Sequence, residues 1–396
     1  MNQPGQIDVL DRDPALDGVR GLAVALVLVF HGMLAFDRSV PWSKVLTALT
    51  DWMFVGVDLF FVLSGFLITS ILIRTRGAGG YFGNFYARRA LRIFPAYYLV
   101  LVSTYLMLWL LGGSAVFAQT FHDAPYFLLY LQNGLMAWRD AQSQWAGLDH
   151  TWSLAIEEQF YLIWPSVVWL TLPQRLLGVA LLFAAGSVLI KCGMIAAGVG
   201  HWSYYVASFS HGEGLALGAA LAAWHGGRSR GAPLPRWYRG VGAAAALGFA
   251  ADVFAHMFGH GWGRWFAGFY EPLVVTAFAW LIGEILESPP HRTLLRFFAS
   301  QPLRLLGQYS YGLYLIHFVV LMTLYKLFFS AWQARFGVNG AAALSAVLMY
   351  GITALLALAM FHAVERPILR LKRYFAPRRQ GGAAAASLTA EGGASP

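Results

Sequence analysis

Long apolar runs recur along this chain, separated by short polar stretches, at the roughly 20-residue length an α-helix needs to cross a hydrocarbon layer. They lie at about 18–36, 52–73, 95–112, 152–172, 176–199, 203–224, 240–258, 265–286, 305–329 and 340–362. The pattern predicts an all-α integral membrane protein with about ten transmembrane helices. A further apolar stretch, 125–138, is short for a crossing and reads as a re-entrant or otherwise non-crossing segment.

Loop charge tests that reading. Arg74, Arg76, Arg88, Arg89 and Arg92 fall between the second and third runs with no acid among them. Arg228, Arg230, Arg236 and Arg239 fall in 225–239, and Arg366, Arg370, Lys372, Arg373, Arg378 and Arg379 follow the last run. Basic loops stay on the cytoplasmic side, so the number of crossings between any two of them is even. Counting 125–138 as a crossing would put one basic loop outside. Parity therefore predicts a cell-membrane protein with both termini cytoplasmic and 125–138 not crossing.

Composition agrees. The 396 residues are 58% hydrophobic and 12% charged, about half the charge of a soluble domain, with mean hydropathy +0.56. Fifteen Trp and 18 Tyr suit aromatic belts at the two interfaces. The net charge of +9 sits in a few short loops, the distribution of a membrane protein and not of a nucleic-acid binder. Cys192 is the one cysteine, which excludes an intramolecular disulfide and a Cys-based metal cluster. Residues 1–13 are polar, 14–376 read as one membrane domain, and 377–396 read as a disordered Gly/Ala/Ser-rich tail. No cleavable leader is evident, so the first helix is expected to be the insertion signal. No Walker loop, dinucleotide fingerprint or internal repeat is present.

Ionisable residues inside apolar helices are expensive, so each is a candidate for function. In LDGVRGLAVALVLVFHG, Arg20 and His31 are eleven residues apart, which puts them on one helix face about 16 Å apart along the axis. Asp58 falls early in the second run and could pair with His31; a helix–helix hydrogen bond is the other reading. In HTWSLAIEEQFYLIWP, Glu157 and Glu158 point about 100° apart, so one can face a cavity and the other a neighbouring helix. His150 and Trp152 stand at the mouth of that helix. In GQYSYGLYLIHF, Ser310 and His317 share a face, and His317 reaches the depth of His31. His211, Glu213, Asp252 and Glu271 are further buried polar candidates. Parity places His31, Asp58, Glu157 and His317 in an outer layer. In NFYARRALRIFP, Arg88, Arg89 and Arg92 form a basic face just before a helix, suited to phosphate, to anionic lipid or to simple anchoring.

Taken in order, LDGVRGLAVALVLVFHG, VGVDLFFVLSGFLIT, FYARRALRIFPAYY, HTWSLAIEEQFYLIWP and YSYGLYLIH resemble the acyltransferase-3 family of integral-membrane acyltransferases, which includes surface-polysaccharide O-acetyltransferases. The resemblance spans about residues 14–367. It implies His31 as the catalytic histidine paired with Arg20, Arg89 and Arg92 as the RxxR motif associated with the acyl-CoA donor, Glu157 as the family acid within Trp152–Glu158, and Tyr311 and His317 as the late tyrosine–histidine motif. Many polysaccharide-modifying members carry a soluble hydrolase-like domain after the membrane part, where this sequence runs into its low-complexity tail.

The resulting expectation is transfer of an acyl group, acetyl first, from cytoplasmic acyl-CoA to a hydroxyl of a sugar or glycan, without metal or nucleic acid. A separate partner protein could deliver the acceptor. Arg20, Arg88, Arg89 and Arg92 would hold the donor, His31 would act as base, and Asp58 or Glu157 would orient its ring. The competing expectation is a transporter of an acyl or glycan substrate with no covalent step.

Overall fold

The computed structural model describes residues 13–111, 114–142, 146–226, 234–257, 268–287 and 293–376. The expected tail 377–396, most of the polar N-terminal segment, and Arg228 and Arg230 lie outside them. Among the described residues the protein is all-α, with no strand.

The chain opens with α1 (Pro14–Gly32), whose first turn is set by Pro14 and by the Asp13 carboxylate accepting from the Ala15 amide at 2.9 Å. An amphipathic α2 (Pro41–Thr50) leads through a short 3₁₀ turn into α3 (Gly56–Thr75). Helix α4 (Tyr81–Leu111) follows. It begins well before the expected 95–112 run, so the arginine face is not a lead-in to the helix but lies in its third and fourth turns. Helices α5 (Ser114–Leu128), α6 (Gln132–Arg139), α7 (Trp152–Leu170) and α8 (Pro173–Ala196) come next.

The expected run 203–224 is not one helix. It divides into α9 (His201–Tyr205) and α10 (Glu213–His225), with a turn over 206–212 that carries Ser208, Ser210 and His211. Composition alone reads straight through this polar break. Helices α11 (Arg236–Met257), α12 (Tyr270–Glu287), α13 (Thr293–Phe298) and α14 (Gln301–Met360) complete the bundle. Gly337, at φ 73°, divides α14 into two arms, a backbone angle that glycine adopts freely. Among the described residues five helical stretches are long and apolar enough to cross a membrane.

The segment 125–138 is likewise broken. It falls across α5 (Ser114–Leu128) and α6 (Gln132–Arg139), which meet at Tyr130, φ 55°. At 1.5 Å per residue α6 is only about 12 Å long, so the stretch does not cross as one helix. Arg139 clamps the break, donating to both Asp123 carboxylate oxygens at 2.6 and 2.8 Å. Burial disfavours the Asp123 charge, but hydrogen bonds from Arg139 and the adjacent His122 outweigh it and hold its pKa below the ordinary value. A depressed carboxylate contributes stability that is complete above its unfolded pKa and lost as pH falls through the folded one. Asp123→Asn is therefore expected to lower the unfolding midpoint at neutral pH, by about 1–3 kcal/mol of stability. The gap to wild type should close well below about pH 4; an undiminished gap there would contradict the ion-pair account.

Two close helix contacts set the site. Gly18 and Gly21 of α1 lie against the carbonyls of Phe298 and Leu303, and Gly307 of α14 lies against that of Asp17, with no room for a Cβ. Small residues let membrane helices approach to backbone contact. The register that results brings the far halves of α1 and α14 together. Gly65 and Gly218 do the same for α3 and α10, against Leu215 and Val62.

Candidate functional site

A cavity of about 230 Å³ runs between α1, α3, α4, α7 and α14. One stripe of α3 lines it lengthwise, with Val57, Phe60, Ser64, Leu67 and Ile71 at successive turns. At 1.5 Å per residue that stripe is about 21 Å long, so the cavity is a shaft. At its basic end stand Arg20, Arg88, Arg89, Arg92 and Lys372. Arg20 is bonded to Asp17 at 2.6 Å, and Arg89 lies over the Tyr161 ring at 4.7 Å from its centre. Among the described residues Arg88, Arg89 and Arg92 form no salt bridge within 4 Å. Three guanidinium groups on adjacent turns without a bonded carboxylate make a site for a polyanion.

Glu157 belongs to this end as well. Ser153, Glu157 and Tyr161, four residues apart on α7, all face the shaft, and Ser64 donates to Glu157 at 2.6 Å. Glu157 feels the charges of Arg89 and Arg92. Tyr311 also lines the shaft, its hydroxyl donating to the Ile93 carbonyl at 2.9 Å. Glu158 is turned to the other side of α7, within electrostatic reach of Arg89 and Tyr311.

Beyond the other end of the shaft three histidines meet. The His317 Nε2 is 3.2 Å from the His31 Nδ1, and the His317 ring is 5.0 Å from that of His150. The backbone assigns the protons. His317 Nδ1 lies 2.6 Å from the Tyr314 carbonyl and His31 Nδ1 lies 2.9 Å from that of Val27, and a carbonyl only accepts. Each Nδ1 thus carries hydrogen. The His31 Nδ1–H is shared with the lone pair on His317 Nε2, and His31 Nε2 is left with its own lone pair free. An imidazole oriented in this way is prepared to take a proton.

The structure therefore brings His31 and His317 together, but not the carboxylates that sequence placed beside them. Among the described residues no hydrogen bond or ion pair joins His31 to Asp58 or Glu157. Asp58 lies about 120° round α3 from the shaft-facing Ser64, so it points at α10 and α12 instead. Its Oδ1 is 3.4 Å from His211 Nε2. Trp152 packs between the two regions, 5.2 Å from the His211 ring and 6.2 Å from Phe61.

There Asp58 starts a fully buried chain of charges. His211 Nδ1 is 3.6 Å from Glu271, Glu271 contacts Lys191, and Lys191 is 2.6 Å from Glu213, which also accepts from Ser187 at 2.9 Å. With His211 protonated the signs alternate along its whole length. Lys191 escaped the sequence reading, although a lone lysine one turn after Ser187 in an apolar run is a signal of its own. The sequence places His150 at the helix mouth; its contact with His317 depends on tertiary packing.

A family model described as an acyltransferase domain matches residues 13–362. The chain is 31% identical over 379 residues to the putative peptidoglycan O-acetyltransferase YrhL of Bacillus subtilis, covering 90% of this chain and 54% of that protein. It is 29% identical over 331 residues to the peptidoglycan O-acetyltransferase OatA of Listeria monocytogenes, covering 78% and 49%. A putative O-acetyltransferase of Staphylococcus aureus is 28% identical over 326 residues, covering 78% and 50%. The chain spans about half the length of these curated relatives. No solved structure matches it.

Proposed function

The chain belongs to the acyltransferase-3 family, and on that premise we propose that it moves an acyl group from acyl-CoA to a hydroxyl of a glycan in the cell envelope. The observation that carries the donor half is the set of unpaired guanidinium groups at the mouth of a narrow shaft. Arg88, Arg89 and Arg92, with Arg20 beside them, would hold the phosphates of CoA, and the thioester arm would enter the shaft. The glycan half rests on the relatives, whose names describe peptidoglycan O-acetylation. The basic end faces the cytoplasm in this reading, as concentrated arginine favours.

In the transfer step His31 Nε2 takes the proton of the acceptor hydroxyl, whose oxygen bonds to the acyl carbonyl carbon. The carbon–sulfur bond breaks, and the departing thiolate receives the proton, so the sum is an ester and free CoA. His317 fixes the His31 ring through the shared Nδ1 proton, as an orienting group does in a nucleophile–base pair. Acceptor delivery by a separate protein remains part of the proposal. A second reading, proton-coupled transport, draws on the buried charge chain, since such chains also carry protons in pumps.

Release of CoA thiol from acetyl-CoA by the purified protein with a glycan acceptor separates the two, because a transporter releases none. With activity established, Arg92→Ala should raise KM for the donor about tenfold or more, the loss of one charge-assisted contact to phosphate. The kcat at saturation should fall much less. A normal KM in that variant would count against phosphate binding at this end.

A further inference from the structure

One residue at the basic end of the shaft comes from outside the part of the chain that matches the family. The family model ends at residue 362, and Lys372 lines the shaft beside Arg20, Arg88, Arg89 and Arg92. The second arm of α14 carries it there. That arm starts near the His31 end, where the Asn339 side chain accepts from the Asp37 amide at 2.8 Å. It runs to the arginine end, where Glu365 lies within electrostatic reach of Arg92. The chain keeps winding through Phe361–Glu365, Arg366–Leu369 and Arg370–Phe375, and these turns pack on α4. From Glu365 to Lys372 the rise is about 10 Å, whereas Arg88 lies only about 6 Å back along α4 from Arg92. Arg20 is within electrostatic reach of Arg89 and Arg92, so it belongs to their level. Lys372 is therefore the outermost of the cations that line the mouth.

We propose that Lys372 binds the ribose phosphate of the donor's CoA and is the residue that distinguishes CoA from its dephosphorylated form. This rests on the acyl-CoA reading above. From the thioester outward, CoA consists of the pantetheine arm, the pyrophosphate and then the phosphorylated ribose of adenosine. With the arm in the shaft and the pyrophosphate on Arg88, Arg89 and Arg92, the ribose phosphate comes next outward, at the level of Lys372. The chemistry matches this division. The planar fork of arginine suits paired phosphate oxygens held in one orientation, whereas the lysine ammonium is a point charge on a flexible stem, suited to a terminal phosphate. A phosphomonoester carries nearly two negative charges at neutral pH, so a donor without it gives up a strong attraction to that ammonium.

The test compares thiol release from acetyl-CoA and from acetyl-dephospho-CoA, which lacks the ribose phosphate, by the full chain reconstituted in lipid with a glycan acceptor. Wild type should show a KM at least about tenfold lower for acetyl-CoA, the worth of one charge-assisted contact. Lys372→Ala should raise KM for acetyl-CoA about tenfold and leave that for the dephospho donor within about twofold of wild type, so that the two donors become alike. Lys372→Arg keeps the charge and should retain most of the preference. Arg92→Ala supplies the contrast: it should raise KM for both donors, because both carry the pyrophosphate. A wild type that treats the donors alike would overturn the assignment. So would a Lys372→Ala protein that keeps the wild-type preference, the result expected of a lysine that only anchors its segment to anionic lipid. No thiol release from either donor by wild type would instead overturn the donor reading itself, and the role of Lys372 with it.

Discussion

Replacing His31 by alanine should reduce acyl transfer by about 10²- to 10⁴-fold, the range that a positioned general base contributes. Affinity for CoA should stay close to wild type. His31 and the arginines sit at opposite ends of the site, and Arg20 lies eleven residues before His31 on α1, a rise of about 16 Å. Loss of chemistry without loss of donor binding is therefore the signature to look for, measured as thiol release at saturating donor beside direct CoA binding. Full transfer by a His31→Ala protein present at normal levels would remove the histidine from the mechanism. The partner gives a graded control. His317→Ala leaves Nε2 of His31 in place but removes the acceptor 3.2 Å from its Nδ1. Its cost should be smaller, about 10- to 100-fold, as for other groups that orient a working imidazole.

That His31 leans on another histidine and not on an acid shows where sequence reasoning reaches its limit. The apolar runs announce the helices because twenty residues without charge have few other homes. The face shared by Arg20 and His31 follows from one helix's own geometry. Pairing across helices does not, since it depends on how each helix is rotated in the bundle. Asp58 stands near the start of α3, where either side could have received it, and the close contacts between α3 and α10 at Gly65 and Gly218 turn it towards His211. Glu157 is drawn to the arginine end by sitting four residues past Ser153 on the face of α7 that lines the shaft. The break at 206–212 was hidden because its neighbours in α10 are alanine, glycine and leucine, equally at home in a long helix. Tyr130 shows the converse: the length of 125–138 alone speaks against a crossing, and the positive φ of Tyr130 is what stops α5 from continuing into α6.

Lys191→Met should be strongly destabilising, by about 3–5 kcal/mol, the cost of removing one partner from a buried ion pair. Lys191 is fully buried, and it separates Glu213 from Glu271. Without it two carboxylates on α10 and α12 confront each other where no water can screen them, and His211 gains an unbalanced neighbour. The chain joins α3, α8, α10 and α12, so the loss should appear as a lower unfolding midpoint in detergent and reduced accumulation in the membrane. Removing the charges together should reverse much of it: Lys191→Met combined with Glu213→Gln and Glu271→Gln leaves polar groups but no unpaired ion, and replacing a whole buried network is often close to neutral. Asp58→Asn should then behave as a stability variant in this network, with residual protein retaining its transfer rate per molecule. If the triple variant transfers acyl groups normally, the chain is a structural brace for the helices around the shaft. If the triple variant folds like wild type but has lost activity, the network takes part in the reaction, and the proton taken up at His31 would have a second set of groups to account for it.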